Sequence, residues 1–269
     1  MGHKFFSFTF PFLLCLYISS FVSPYPSAYS QLDYRFYDRS CPRLLNMVKY
    51  GVWAAYKNDT RIAASLLRLH FHDCFVNVGG PFWPVLLGRR DGTTASQQAA
   101  NEQLPSPIEP LENITAKFTS KGLDLKDVVV LSGAHTIGFA QCFTFKRRLF
   151  NFQGTGKPDP TLDASAVSSL QSMCPDTDSS NSNLAPLDTA STYKFDNMYY
   201  TNLVNNVGLL ESDQALMKDP KTAAMVNSYS AYPFLFWNDF STSMAKLGNL
   251  GVITGKKGQI RKKCGAVNY

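Results

Sequence analysis

The sequence predicts a mainly α-helical fold. Apolar residues recur at spacings of three and four through most of the chain, the period that gives a helix one core-facing stripe. Alternating, strand-like runs are few and brief. A hydrophobic fraction of 45%, with no low-complexity tract, repeat or linker, suits one packed globular core.

The elements follow in order. Residues 1–30 read as a secretory signal peptide: Lys4 supplies the positive start, residues 5–22 are almost wholly apolar, and Ala28, Tyr29 and Ser30 form the cleavage region. Polar interruptions and Pro11 argue against a membrane anchor, and no later stretch is long and apolar enough to span a bilayer. Over 44–56, Leu45, Val48, Val52 and Ala55 share one helical face, and Asp59 and Thr60 offer a start for a second helix over 62–77. Gly79, Gly80 and Pro81 break the chain, and 83–87 is short and apolar before the turn at 88–92. Further helices are predicted over 108–118, 125–138, 164–173, 194–203, 212–217 and 220–229, with the polar run 176–183 as a loop. The last, 234–247, carries the stripe Trp237, Phe240, Met244 and Leu247.

The net charge of +6 concentrates in Lys256, Lys257, Arg261, Lys262 and Lys263, which reads as a solvated tail rather than a nucleic-acid surface. Asn58 and Asn113 head glycosylation sequons. Cys15 leaves with the signal, so Cys41, Cys74, Cys142, Cys174 and Cys264 remain. This odd number in a secreted chain means at least one unpaired thiol or an intermolecular bridge.

Two histidine segments carry the chemistry. In ASLLRLHFHDCFVN (residues 64–77), Arg68 and His72 are four apart and share a helix face. An imidazole can take a proton and return it near neutrality, and a guanidinium stabilises negative charge that builds on a departing oxygen. A core histidine bonded to backbone is the plain alternative. His70, two positions from His72, faces elsewhere on a helix, and a zinc set of His70, His72 and Cys74 would need a strand. The second segment is LSGAHTIG (131–138), with His135.

Together with LDTASTYKFD (187–196) and ESDQ (211–214), these segments resemble the motifs of secreted plant-type (class III) haem peroxidases. The resemblance covers most of 31–269, down to GQIRKKCGAVN (258–268). It implies a haem-peroxidase-like helical fold over 31–269. The implied enzyme oxidises phenolic and aromatic donors with hydrogen peroxide, removes peroxide and responds to oxidative stress. By the same resemblance, His72 is the distal acid–base, Arg68 stabilises the transition state and Phe71 lies with the cofactor. His135 is the axial ligand of haem b (iron protoporphyrin IX), with Asp213 holding its other ring nitrogen. Pro105, in LPSP (104–107), marks the mouth of the substrate channel. Thr136, Asp188, Ser191, the Lys194 carbonyl and Asp196 form a proximal calcium site.

The chain departs from the family at one place. It runs from Asn77 straight to Val78, where family members carry a long block. An internal deletion at 77/78 implies the loss of two core helices, which would leave apolar faces of the first and last helices uncovered. The distal calcium site keeps only Asp73 and the Val76 carbonyl, too few donors for that ion, so one calcium is expected. Of the family's four disulfides, Cys142–Cys174 remains whole, whereas Cys41, Cys74 and Cys264 each lack a partner. Each lost bridge costs about 2–5 kcal/mol, against a domain stability of about 5–15 kcal/mol, so marginal folding is expected unless the orphans re-pair. The expected product is a secreted, extracellular monomer, in the cell wall or vacuole, with acidic wall polysaccharide as a possible partner and no membrane partner. The alternative reading is a catalytically impaired or inactive secreted variant.

Overall fold

A computed structural model describes residues 32–68, 81–94, 96–263 and 265–268. The signal segment, His70, Phe71, His72, Asp73, Cys74, Val76 and Cys264 lie outside the described residues.

The fold is mainly α. Helix α1 spans Leu44–Asn58 and α2 spans Ile62–Arg68, which is as far as the predicted 62–77 helix is described. Helix α3, Gln97–Gln103, was not expected: its sequence QQAANEQ has no apolar stripe and buries no residue, and the helix is fixed locally by the Ser96 cap on the Ala99 N–H. Helix α4 covers Leu111–Thr119, starting after Pro110 rather than at 108. Helix α5, Leu125–Ser132, opens on a capping box between Asp124 and Asp127. It stops short of the predicted 138, because the chain tightens into a 3-10 turn over Gly133–Thr136. The short α6, Lys146–Phe150, is also unexpected, and α7 occupies Ala164–Met173 behind its Asp163 cap. The polar run 176–183 contains a 3-10 turn, Asp178–Ser182. Helices α8 (Met198–Val204), α9 (Glu211–Gln214), α10 (Pro220–Ala231) and α11 (Pro233–Gly248) complete the set. Helices α10 and α11 each begin with a proline, where a missing N–H costs nothing. The strands β1 (Phe139–Gln141) and β2 (Leu184–Pro186) pair antiparallel, with Ala140 opposite Ala185.

Two apolar clusters form the core. The larger joins Val128, Val129 and Val130 of α5 to Tyr200, Val226, Phe236 and Phe240 from α8, α10 and α11. Its centre is aromatic: Phe195 stacks on Phe236 at 5.5 Å, and Tyr200 and Phe240 meet Phe236 edge-on at 5.0 and 5.5 Å. The smaller cluster surrounds the Cys142–Cys174 disulfide, which ties the end of β1 to the end of α7 with Cα atoms 5.6 Å apart.

The expectation of uncovered helix faces divides. On α1, Leu45, Met47, Tyr50 and Trp53 are exposed and Val52 alone is buried. On α11 the expectation fails: Phe240 and Met244 are buried against α5, Trp237 and Leu247 pack on the same core, and exposure of large apolar side chains is confined to Phe234 and Leu235 at the start. The basic tail also departs from a purely solvated reading. Gln259 pairs with Asp91, and Arg261 donates from its backbone to the Asp91 carboxylate and from its guanidinium to the Gly92 carbonyl. The four lysines around it are exposed.

Candidate active site

The 3-10 turn after α5 presents His135. Gly133 makes that turn possible, since a Cβ there would overlap the Tyr200 hydroxyl and the Phe236 ring. The Tyr200 hydroxyl lies within donating distance of the Val129 and Val130 carbonyls, occupying acceptors at the end of α5. Three residues beyond His135, Gly138 adopts φ +107° and turns the chain into β1. A Cβ on Gly138 would lie 3.0 Å from the Ala64 side chain, so α2, which ends at Arg68, runs against the histidine segment. Nothing further is described for the Arg68 side chain, and its partner His72 falls outside the described residues.

His135 and Asp213 are 78 residues apart in sequence and meet with Nδ1 2.9 Å from Oδ1. The aspartate is 3% exposed and the histidine side chain 37%. A carboxylate only accepts, so Nδ1 carries the proton and donates. That bond fixes the tautomer and the ring orientation, which is how a metal-ligating imidazole is held. The pair therefore fits a ligand for a haem iron, which Nε2 would hold.

Asp213 has a second donor. The Tyr199 hydroxyl donates to the same Oδ1 at 3.0 Å. Gln214, next in sequence, anchors α9: its amide donates to the Leu203 carbonyl at 3.0 Å, and its oxygen accepts from the Gly208 N–H at 3.3 Å. Neither role was visible in the motif ESDQ, where only the aspartate stood out.

The oxygens proposed for calcium converge. Thr136 Oγ1 lies 3.3 Å from Asp188 Oδ2 and 3.4 Å from Asp196 Oδ1. Ser191 Oγ lies 3.2 Å and 2.9 Å from the same two oxygens. Two hydroxyl protons cannot serve four such approaches. Asp188 is fully buried and Asp196 is 8% exposed, so two carboxylates face one point away from water. The Lys194 ammonium, largely exposed, reaches Asp196 Oδ2 at 3.6 Å. All the donors are hard oxygens, and the set fits calcium rather than a softer metal. Among the described residues, no group of three or more His, Cys, Asp or Glu forms a metal-binding set.

Pro105 is exposed, in the segment joining α3 to α4. The Lys117 ammonium donates to the Leu104 carbonyl at 2.8 Å, and the Ser212 N–H donates to the Pro107 carbonyl at 3.0 Å. The segment thereby lies against the helix that bears Asp213. Among the described residues Cys41 has no disulfide partner, and it is half-buried. Asn58 and Asn113 are both exposed, as glycan acceptors must be. No helix among the described residues is long and apolar enough to cross a membrane.

Comparison with known proteins shows the family. Residues 76–232 match the family model described as Peroxidase. Peroxidase 10 of Arabidopsis thaliana is 55% identical over 302 residues, covering 88% of this chain and 86% of the relative. Peroxidase N of Armoracia rusticana is 40% identical over 304 residues, with 89% and 92% covered. The lignin-forming anionic peroxidase of Nicotiana tabacum is 37% identical over 311 residues, with 92% and 96% covered. Each alignment is longer than the 269 residues of this chain.

Proposed function

The chain belongs to the plant peroxidases, oxidoreductases that use hydrogen peroxide, and on that premise we propose that His135 holds a haem iron while Asp213 fixes its ring. The observation that carries the assignment is the 2.9 Å bond between His135 Nδ1 and the buried Asp213 carboxylate. When bound, the haem would supply the redox chemistry that reduces peroxide and oxidises an aromatic donor.

The chain's own residues do the rest. Asp213 keeps the Nδ1 proton of His135 in place and makes the opposite nitrogen a better donor. By the family resemblance, His72 would take the proton from one peroxide oxygen and return it to the other, and Arg68 would stabilise the negative charge that builds on the departing oxygen. By the same resemblance, Phe71 would contribute to binding the cofactor, and Pro105 would line the approach for phenolic donors. Thr136, Asp188, Ser191, Asp196 and the Lys194 carbonyl hold one calcium, while Asp73 and Val76 are remnants of a broken distal site.

Residues 1–30 act as a secretory signal, and the mature domain, 31–269, is a monomer with an internal deletion at 77/78. Alignments longer than the chain and the bare apolar face of α1 support the deletion. The product reaches the cell exterior, where the exposed lysines near the C-terminus suit acidic wall polysaccharide.

Peroxide-dependent oxidation of a phenol by the haem-loaded protein tests the assignment. Wild type is expected to turn over, and Asp213→Asn to lose about 10–100-fold in activity. Unchanged activity in Asp213→Asn would remove Asp213 from the site.

A further inference from the structure

Helix α8 touches both halves of the site. At its start, the Met198 N–H donates to Asp196 Oδ1 at 2.9 Å. One turn on, the Asn202 amide donates to Asp188 Oδ1 at 2.8 Å. Between these anchors to the cation cluster stands Tyr199, whose hydroxyl donates not to the cluster but to Asp213 Oδ1. Tyr199 and Asn202 are three residues apart and lie on one face, so a shift of the helix moves both bonds together. The Tyr199 ring also meets the His135 ring edge-on, with centroids 6.3 Å apart.

We infer that Tyr199 is a positioning residue that sets how strongly Asp213 holds His135, and that α8 carries the state of the cation cluster to that pair. The inference rests on His135 being the axial ligand. Its physical basis is competition at one oxygen. Asp213 Oδ1 accepts from His135 Nδ1 and from Tyr199 at once, at 2.9 and 3.0 Å. Each donor withdraws charge from that oxygen, so removing the phenol leaves the carboxylate a stronger acceptor for the imidazole N–H. A stronger bond gives the ring more imidazolate character and a more electron-rich coordinating nitrogen. Tyr199 is 2% exposed. Burial, then the neighbouring Asp213 charge, pushes its phenol well above the ordinary tyrosine value, so it remains a donor throughout the working pH range.

A link through the backbone also exists, since Thr136 of the cluster is bonded to His135. The two routes are separable. Tyr199→Phe removes the hydroxyl, keeps the ring and leaves Thr136 untouched. The haem-loaded wild type and Y199F are compared by iron(III)/iron(II) midpoint potential and by the iron–imidazole stretching band of the reduced protein, each with calcium and after chelation.

In the presence of calcium, Y199F is expected at a lower potential and a higher stretching frequency than wild type. Chelation should move wild type the same way and move Y199F much less. A wild-type spectrum without an iron–imidazole band would overturn the axial assignment and this inference with it. A wild-type band with Y199F unshifted, or shifted to higher potential, would overturn the role of Tyr199 alone. An equal response of both proteins to chelation would assign the link to Thr136. Should Y199F not be recovered folded, the chelation response of wild type still decides, because no shift there overturns the coupling.

Discussion

Helices α1 and α11 both carry an apolar stripe in sequence, yet the fold treats them oppositely. Phe236 and Phe240 of α11 are 0% exposed, locked into the aromatic core with Phe195 and Tyr200. Tyr50 and Trp53 of α1 are 69% and 42% exposed. Helix α11 finds its cover in α5 and α10, which are present. Helix α1 touches the core only through Val52 and partly buried neighbours such as Val48 and Tyr56. The half that contains His135, Asp213 and the oxygens around Thr136 therefore closes its own packing. The half that leads into Arg68 is left with apolar surface that nothing in the described chain covers.

The largest consequence concerns the cofactor. His135→Ala should abolish the haem absorption band while leaving the far-ultraviolet circular dichroism of the proximal helices in place. A band of undiminished intensity in that variant would move the iron elsewhere.

Stability should follow the same division. Phe240→Ala, a cavity in the closed core, is expected to cost about 3–5 kcal/mol. Trp53→Ala on the bare face should stay within about 0.5 kcal/mol, read by urea midpoints at constant slope. Equal losses at the two sites would mean that α1 is covered in solution.

Calcium should matter next. An ion at a hundredfold excess over its dissociation constant stabilises the fold by about 2.7 kcal/mol, and chelation should lower the melting temperature accordingly. Asp188→Ala should remove that response while the wild type retains it.

A smaller effect appears in acid. Burial alone would raise Asp127, but the Ser243 hydroxyl, the Asp124 N–H and the Lys246 ammonium hold its carboxyl below the usual range. Burial likewise opposes Asp159, and Thr161 with Arg148 brings it down. Both folded values lie below the unfolded ones. The stability they contribute is thus complete above about pH 4 and lost as pH falls through the lowered values. Asp127→Asn should flatten part of that acid loss, seen as a shallower fall of the urea midpoint. An unaltered slope would show that Asp127 contributes no such linkage.

Much of the proximal half was legible in the sequence. The helix starts expected at 164 and 220 are kept, and the one expected at 234 moves by a single residue to Pro233. The histidine and aspartate motifs were visible, but their contact across 78 residues was not, because pairing at that range is a product of packing. Helix α5 looked continuous to 138, since its stripe does not reveal that Tyr200 and Phe236 press against Gly133 and tighten the turn. Tyr199 was hidden for the same reason: a tyrosine among apolar residues reads as core until its hydroxyl is found on Asp213. Helix α3 escaped notice because it is held by a cap and not by burial.

The central claim is that the closed half suffices to hold haem through His135. Titration of the purified chain with haem, followed by its Soret band, tests this most directly. The account predicts saturable binding near one haem per chain, lost in His135→Ala, with a band that shifts on peroxide and recovers with a phenol. No saturable band in wild type, or one that His135→Ala retains, would contradict it.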